Sequence, residues 1–198
     1  MYRYGTHRTA LGALPDKKQR RREKTVRILK IAALGALLIG VGAVPSPRAI
    51  GRIFRELSMS DTKQNRRAIK RKVWEMGHRG YINKTPQRYA LSEIGRRIIE
   101  DEKLWGLSVP IPEQWDEVWH IVVFDIPQEK AKIRIPFIRH LQSLGLVFYQ
   151  RSVWIHPYEM EDEVRQIAQF YDILPFISFI KASHVDNSYE LRKYFKLR

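Results

Sequence analysis

The sequence predicts an α+β protein of two domains, and three observations support this prediction. The 198 residues carry a formal charge of +15, which is unevenly divided. Residues 1–103 hold 25 basic and 9 acidic side chains, whereas residues 104–198 hold 11 and 12. Helical spacing of apolar residues dominates the first half, and strand and helix patterns alternate in the second. Between them, residues 105–114 contain two prolines and little charge, as is typical of a linker.

The predicted boundaries follow these changes. Residues 1–19 form a flexible basic arm, which contacts phosphate or stays solvated. Residues 20–104 form the first domain, residues 105–114 the linker and residues 115–184 the second domain. Residues 185–198 are a tail that packs on its own sheet or crosses to a second copy, and its length does not decide between the two.

Composition limits the classes of function. The chain contains no cysteine, so disulfides and thiolate metal sites are excluded and a reducing, cytoplasmic setting is expected. The six histidines show no metal-ligand spacing, and no glycine loop or Ser-His-Asp motif is present. The positive charge of the first half indicates a partner rich in phosphate.

The most apolar stretch covers residues 28–44. Its uninterrupted part, residues 31–44, is shorter than the roughly 20 residues that span a bilayer. The prediction is a buried first helix, and the alternative is a membrane anchor or signal segment.

A second helix is predicted after a proline-rich break. Ser46 suits its N-cap and Pro47 its first position. Ile50, Ile53 and Phe54 then recur at helical spacing, which predicts a buried face.

A third helix carries the main candidates for contact with a ligand. Ser60 or Asp61 suits its N-cap, Met76 its end and Gly77 its stop. Its apolar stripe is Ile69, Val73 and Met76. The polar and basic candidates are Lys63, Gln64, Asn65, Arg66, Arg67, Lys70 and Arg71. Such a mixture of base-reading and phosphate-binding side chains suits a helix in the major groove of DNA, and the alternative is a solvated basic face.

A β-hairpin and a further helix follow. Strands at residues 80–82 and 88–91 enclose a basic loop, in which Lys84, Gln87 and Arg88 are candidates for contact with DNA. The alternative is an ordinary polar loop. Ser92 suits the cap of the next helix, whose inward residues are predicted to be Ile94, Ile98 and Ile99. Three helices, a hairpin and a helix are the order of a winged helix-turn-helix, and the Leu91-Ser92-x-x-Gly95 phrase is similar to the LT-x-x-G of many winged-helix regulators.

The second domain has the pattern strand, helix, strand, strand, helix, strand. The strands are predicted at residues 118–124, 146–149, 152–156 and 176–181, and the helices at residues 127–144 and 159–171. This order is the split βαβ of ferredoxin-like domains. Two helices on one face would leave the other apolar face of the sheet bare, which predicts a homodimer through that face.

Several short motifs in this domain also resemble a known family. They are Phe124-Asp125-Ile126-Pro127, Leu144-Gly145, Gln150, and Ser152-Val153-Trp154-Ile155 with Pro157. Over residues 116–183 they resemble the middle domain of PaaX-like transcriptional repressors, which is itself similar to the Cas-two subunit of CRISPR spacer acquisition. The resemblance implies a dimeric, DNA-binding repressor. No cofactor is expected for this function, and Mg²⁺ is expected only if the protein is a nuclease. The further carboxy-terminal domain of longer repressors, and with it acyl-coenzyme A sensing, is not expected in a chain of this length.

Asp125 is the one candidate for catalysis. It ends the first strand of the second domain, where the resemblance to Cas-two proteins implies a divalent-metal ligand. An aspartate at such a turn commonly binds backbone amides instead, and one acid per chain is a poor metal site. We therefore expect a double-stranded DNA partner, a homodimer and no membrane. The alternative is a Cas-two-like protein that acts as a Mg²⁺-dependent endonuclease or as a dimeric DNA bridge in spacer acquisition.

Overall fold

The computed structural model describes residues 25–30, 47–85 and 89–197. The chain divides into two compact units, an amino-terminal unit of residues 10–102 and a carboxy-terminal unit that contains residues 103–198. The predicted basic arm, residues 1–19, and most of the predicted first helix lie outside the described residues. Among the described residues, no helix has both the length and the hydropathy needed to cross a membrane.

The amino-terminal unit contains helices and one hairpin. Its elements are the helical residues 25–30 (α1), α2 (Pro47–Glu56), α3 (Lys63–His78), β1 (Ile82–Lys84), β2 (Tyr89–Leu91) and α4 (Glu93–Leu104), the last of which contains the unit boundary. Its core combines Ile28 and Leu29 with the predicted apolar residues of α2 and α3. The hairpin pairs Ile82 with Leu91 and Lys84 with Tyr89. This order agrees with the one predicted from the sequence, and the winged-helix assignment itself stays a prediction.

Several local predictions in this unit were wrong. Thr62, and not Ser60 or Asp61, caps α3, because its Oγ1 accepts the backbone N–H of Asn65 at 3.1 Å. The helix continues through Gly77 to His78, and the left-handed residue is Gly80 at φ +69°.

Two further predictions on the hairpin and α4 also differ from the structure. The first hairpin strand covers residues 82–84 and not 80–82. Ile94 is 54% exposed, whereas Ile98 and Ile99 pack against the core as predicted. Helical spacing alone does not distinguish the two flanks of an apolar stripe.

The Leu91-Ser92-x-x-Gly95 phrase joins the hairpin to α4. Ser92 Oγ donates a hydrogen bond to the carbonyl of Gly80 at 2.5 Å and accepts the backbone N–H of Gly95 at 3.0 Å. A Cβ atom on Gly95 would lie 2.2 Å from the carbonyl oxygen of Tyr81. The phrase therefore allows the first turn of α4 to approach the backbone that follows α3.

The carboxy-terminal unit has the predicted split βαβ order. Its elements are β3 (Trp119–Phe124), α5 (Ala131–Ser143), β4 (Val147–Gln150), β5 (Val153–His156), α6 (Glu161–Phe170), β6 (Ile177–Ala182) and α7 (Ser188–Phe195). The sheet order is β4-β5-β3-β6, and all neighbouring strands are antiparallel. This order confirms the predicted topology of the sheet. Val122, Phe124 and Trp154 face α5 and α6 in the larger core.

The other face of the sheet is covered. The prediction of a bare apolar face, on which the predicted dimer was based, was therefore wrong. The tail folds back as α7, and Leu191 is completely buried against that face with Trp119 and Ile155. The guanidinium of Arg192 lies 4.7 Å from the centre of the Trp115 ring. The tail thus packs on its own sheet, which was one of the two predicted placements.

The predicted linker is also partly packed. Val109 is buried in the larger core of this unit, and Leu107 packs against it. The Trp105 ring lies 4.1 Å from the ring of His140 in α5. These contacts lie within the carboxy-terminal unit.

Candidate nucleic-acid interface

Helix α3 presents a polar stripe opposite its buried side. Ile69, Val73 and Met76 are buried. Because an α-helix has 3.6 residues per turn, one stripe of residues at i, i+3 and i+7 spacing faces away from this core. That exposed stripe consists of Gln64, Arg67, Arg71, Trp74 and His78. Lys63 and Lys70 lie beside it and are also exposed.

The predicted candidates on this helix fall into two groups. The first group is exposed, and its side chains form no hydrogen bond or ion pair with any residue that the structure describes. Its members are Lys63, Gln64, Arg67, Lys70 and Arg71. These donors are available to an external acceptor, and a bidentate guanidinium suits both guanine edges and phosphates.

The second group, Asn65 and Arg66, is engaged within the chain. Asn65 Nδ2 donates to the carbonyl of Ser60 at 2.8 Å. Arg66 Nε and Nη2 donate to the two carboxylate oxygens of Asp61 at 2.5 and 2.6 Å. This hydrogen-bonded pair lowers the pKa of Asp61 from its usual value. Both side chains are therefore held at the start of α3, and part of their hydrogen-bonding capacity is already used within the chain.

Two aromatic residues of the stripe were missed in the sequence. Trp74 is 69% exposed, and its ring stacks on His78 with 5.3 Å between centroids and 7° between planes. The helical spacing could have identified both, because steps of three and four residues from Gln64 lead to positions 74 and 78. An exposed tryptophan at the end of a basic stripe offers a flat apolar surface to sugars or bases.

Of the three hairpin residues predicted to contact DNA, the structure describes one. Lys84 is exposed at the end of β1, opposite Tyr89. The other two, Gln87 and Arg88, lie outside the described residues, and their assignment stays a prediction.

Asp125 lies in the carboxy-terminal unit, directly after β3. Its carboxylate is exposed and contacts no described residue by a hydrogen bond or ion pair. The backbone N–H of Asp125, and not its side chain, holds the turn by donating to the Phe176 carbonyl at 3.0 Å. The predicted cap of backbone amides by this carboxylate was therefore wrong. Across the described ranges, no group of three or more His, Asp or Glu side chains is placed to hold a metal ion.

Comparison with known families agrees with this architecture. Residues 112–193, which cover the sheet, its two helices and most of α7, match the family model described as the PaaX protein central Cas2-like domain. The carboxy-terminal unit is thus a domain of this type, and the match supports a PaaX-like family for the protein. No curated protein matches the chain.

Proposed function

We propose that this protein is a cytoplasmic, dimeric transcriptional regulator that binds double-stranded DNA and represses transcription. The observation that carries the proposal is the exposed stripe of α3, in which the guanidinium groups of Arg67 and Arg71 are one helical turn apart and have no partner among the described residues. The family match of the other unit supports the class of protein.

Charge supports DNA as the partner. Helix α3 carries six basic side chains and one acidic side chain, Glu75. Glu75 pairs with Lys72 and Arg79, at 3.4 and 2.9 Å, on the flank of the stripe. The acid therefore does not neutralise the stripe itself. Clustered cations that are free of internal partners gain affinity for DNA by releasing counterions from phosphates.

An exposed edge strand of the sheet, and not a bare sheet face, supports the proposed dimer. Strand β6 is an edge of the sheet, and Ile180 on this strand is 48% exposed. Edge strands that expose apolar residues favour pairing with a second copy. A two-fold dimer would also present two α3 helices to two half-sites of an operator.

Selection of bound duplexes from a random DNA pool tests the proposal. We expect enrichment of an inverted repeat whose half-site centres are about 10 base pairs, or a multiple of this, apart. Light scattering of the full chain should give twice the mass of one chain. If no sequence is enriched, the protein is not a sequence-specific regulator. If the enriched site is asymmetric and the mass is that of one chain, the protein does not bind DNA as a dimer.

The exposed carboxylate of Asp125 favours one alternative, a metal-dependent nuclease. If the protein is a regulator, Asp125→Asn should leave DNA affinity unchanged. It should also leave the free energy of unfolding within about 0.5 kcal/mol, because the side chain is exposed and forms no hydrogen bond or ion pair with any described residue. DNA and RNA cleavage is measured with purified protein and Mg²⁺ or Mn²⁺. Cleavage by the wild type that disappears in Asp125→Asn would establish the nuclease instead.

A further inference from the structure

A groove of about 560 Å³ lies on the carboxy-terminal unit. One wall is formed by the proline-containing segment of residues 110–112 and another by Pro157 and Tyr158. The volume falls in the range of about 300–1,000 Å³ that is usual for small-molecule sites. Neither the regulator nor the nuclease assignment uses this groove.

The charged side chains that line the groove are all acidic. They are Asp116, Glu159, Glu161, Asp162 and Glu163. Two of them have cationic partners, since Glu159 pairs with Lys181 at 2.9 Å and Glu161 with Arg165 at 2.5 Å. No cation among the described residues pairs with the other three.

The dipole of α6 explains part of this charge, because acids are favourable in the first turn of a helix. It does not explain Asp116, which lies before β3 and accepts the backbone N–H of Val118 at 3.0 Å.

His120 provides an independent sign of a ligand. The residue lies on β3, is only 6% exposed, and contributes to the lining of the groove. Its imidazole has no hydrogen-bond partner among the described residues. The neighbouring His156 is buried to the same extent, but its Nδ1 accepts the backbone N–H of Tyr158 at 3.1 Å. The ring nitrogens of His120 are not sealed off by protein, and because the residue lines the groove, a ligand bound there can reach them.

The protonation state of His120 indicates which hydrogen-bonding groups a ligand in the groove would present to it. Burial lowers the pKa of this imidazole, and the positive charge of Lys181 acts in the same direction. The three nearby acids, Asp116, Glu159 and Glu161, oppose this shift without cancelling it. A neutral ring offers one N–H donor and one nitrogen lone pair as an acceptor, and the surrounding carboxylates offer only acceptors. The groove therefore suits a ligand that donates N–H hydrogen bonds and carries positive charge.

We propose that this groove binds a small organic cation of the alkyl diamine or polyamine class. Its ammonium groups donate to the free carboxylates and to His120, and its methylene chain lies along the proline walls. A bare metal ion fits less well, because across the described ranges no three His, Asp or Glu side chains are placed to hold one. The proposal does not depend on DNA binding by α3.

Titration calorimetry of the 198-residue, DNA-free chain with spermidine tests the proposal. We expect one site per chain with a Kd below about 1 mM at low salt, where charges are weakly screened. The double substitution Asp162→Asn, Glu163→Gln keeps the shape of both side chains and should weaken binding about tenfold. A matched control, Asp186→Asn with Glu190→Gln, removes the same charge beside and within α7, outside the groove, and should leave affinity unchanged.

A second measurement locates the ligand and is independent of the stability of variants. In the wild-type protein, the imidazole NMR signals of His120 should shift on titration with spermidine, whereas those of the exposed His184 should not. The absence of heat and shift up to about 5 mM spermidine would overturn the proposal. Equal weakening by the two double variants would also overturn it, since that would indicate diffuse attraction. Tighter binding of a lysine-rich peptide than of spermidine would replace it with a peptide site.

Discussion

Replacing Arg67 and Arg71 together by alanine should strongly weaken sequence-specific DNA binding. Both guanidinium groups lie on the exposed stripe of α3, opposite its buried side, and have no partner in the described structure. A bidentate hydrogen-bonded pair between arginine and a base is worth about 1–3 kcal/mol, so removing two should weaken binding at least about 30-fold. Fluorescence anisotropy with the selected duplex measures this change. If either arginine binds phosphate instead, the slope of log affinity against log salt should flatten by about 0.9 for each phosphate that is no longer neutralised.

Arg66→Ala is the matched control, since it removes the same kind of side chain from the same helix. Its guanidinium is already bound to the carboxylate of Asp61. We expect a small change in affinity, and the same is expected for Lys181→Ala in the carboxy-terminal unit, where Lys181 pairs with Glu159. Equal weakening of DNA binding in all three variants would show that the duplex lies elsewhere.

Gly95→Ala should destabilise the amino-terminal unit strongly. The new Cβ would lie 2.2 Å from the carbonyl oxygen of Tyr81 and 2.8 Å from Cδ1 of Leu91. A backbone atom cannot move aside as the end of a side chain can, so α4 must separate from the hairpin or the hairpin must shift. We expect a decrease of about 3 kcal/mol or more in the free energy of unfolding, measured by chemical denaturation. DNA binding should fall with it, because the hairpin and α3 share one core.

Gly77→Ala provides the opposite control. Gly77 lies within α3, its φ is not positive, and no atom lies within 4 Å of the Cβ that alanine would add. Alanine should therefore stabilise the helix by up to about 1 kcal/mol. A similar decrease in the free energy of unfolding of both variants would show that steric contact between the new Cβ at position 95 and the Tyr81 carbonyl is not the cause.

The sequence by itself determined the order of elements and the division of charge. Helices and strands of this protein follow from apolar residues at local spacing, such as Ile69, Val73 and Met76 in α3, and local spacing is visible without any tertiary contact. The same holds for Gly145, which ends α5 at φ +92°. The split βαβ order and the basic surface of α3 could therefore be predicted.

Only the tertiary structure decided which surfaces and charges are free. The pairing of Arg66 with Asp61 depends on the path of the chain before α3, and no spacing rule separates Arg66 from Arg67. The coverage of the sheet by α7 depends on Leu191 reaching Trp119, about 70 residues away in sequence. The unpartnered imidazole of His120 becomes evident only when residues 110–116 and 157–163 fold beside β3. Contacts between distant parts of the chain set burial and pairing, and a linear pattern does not contain them.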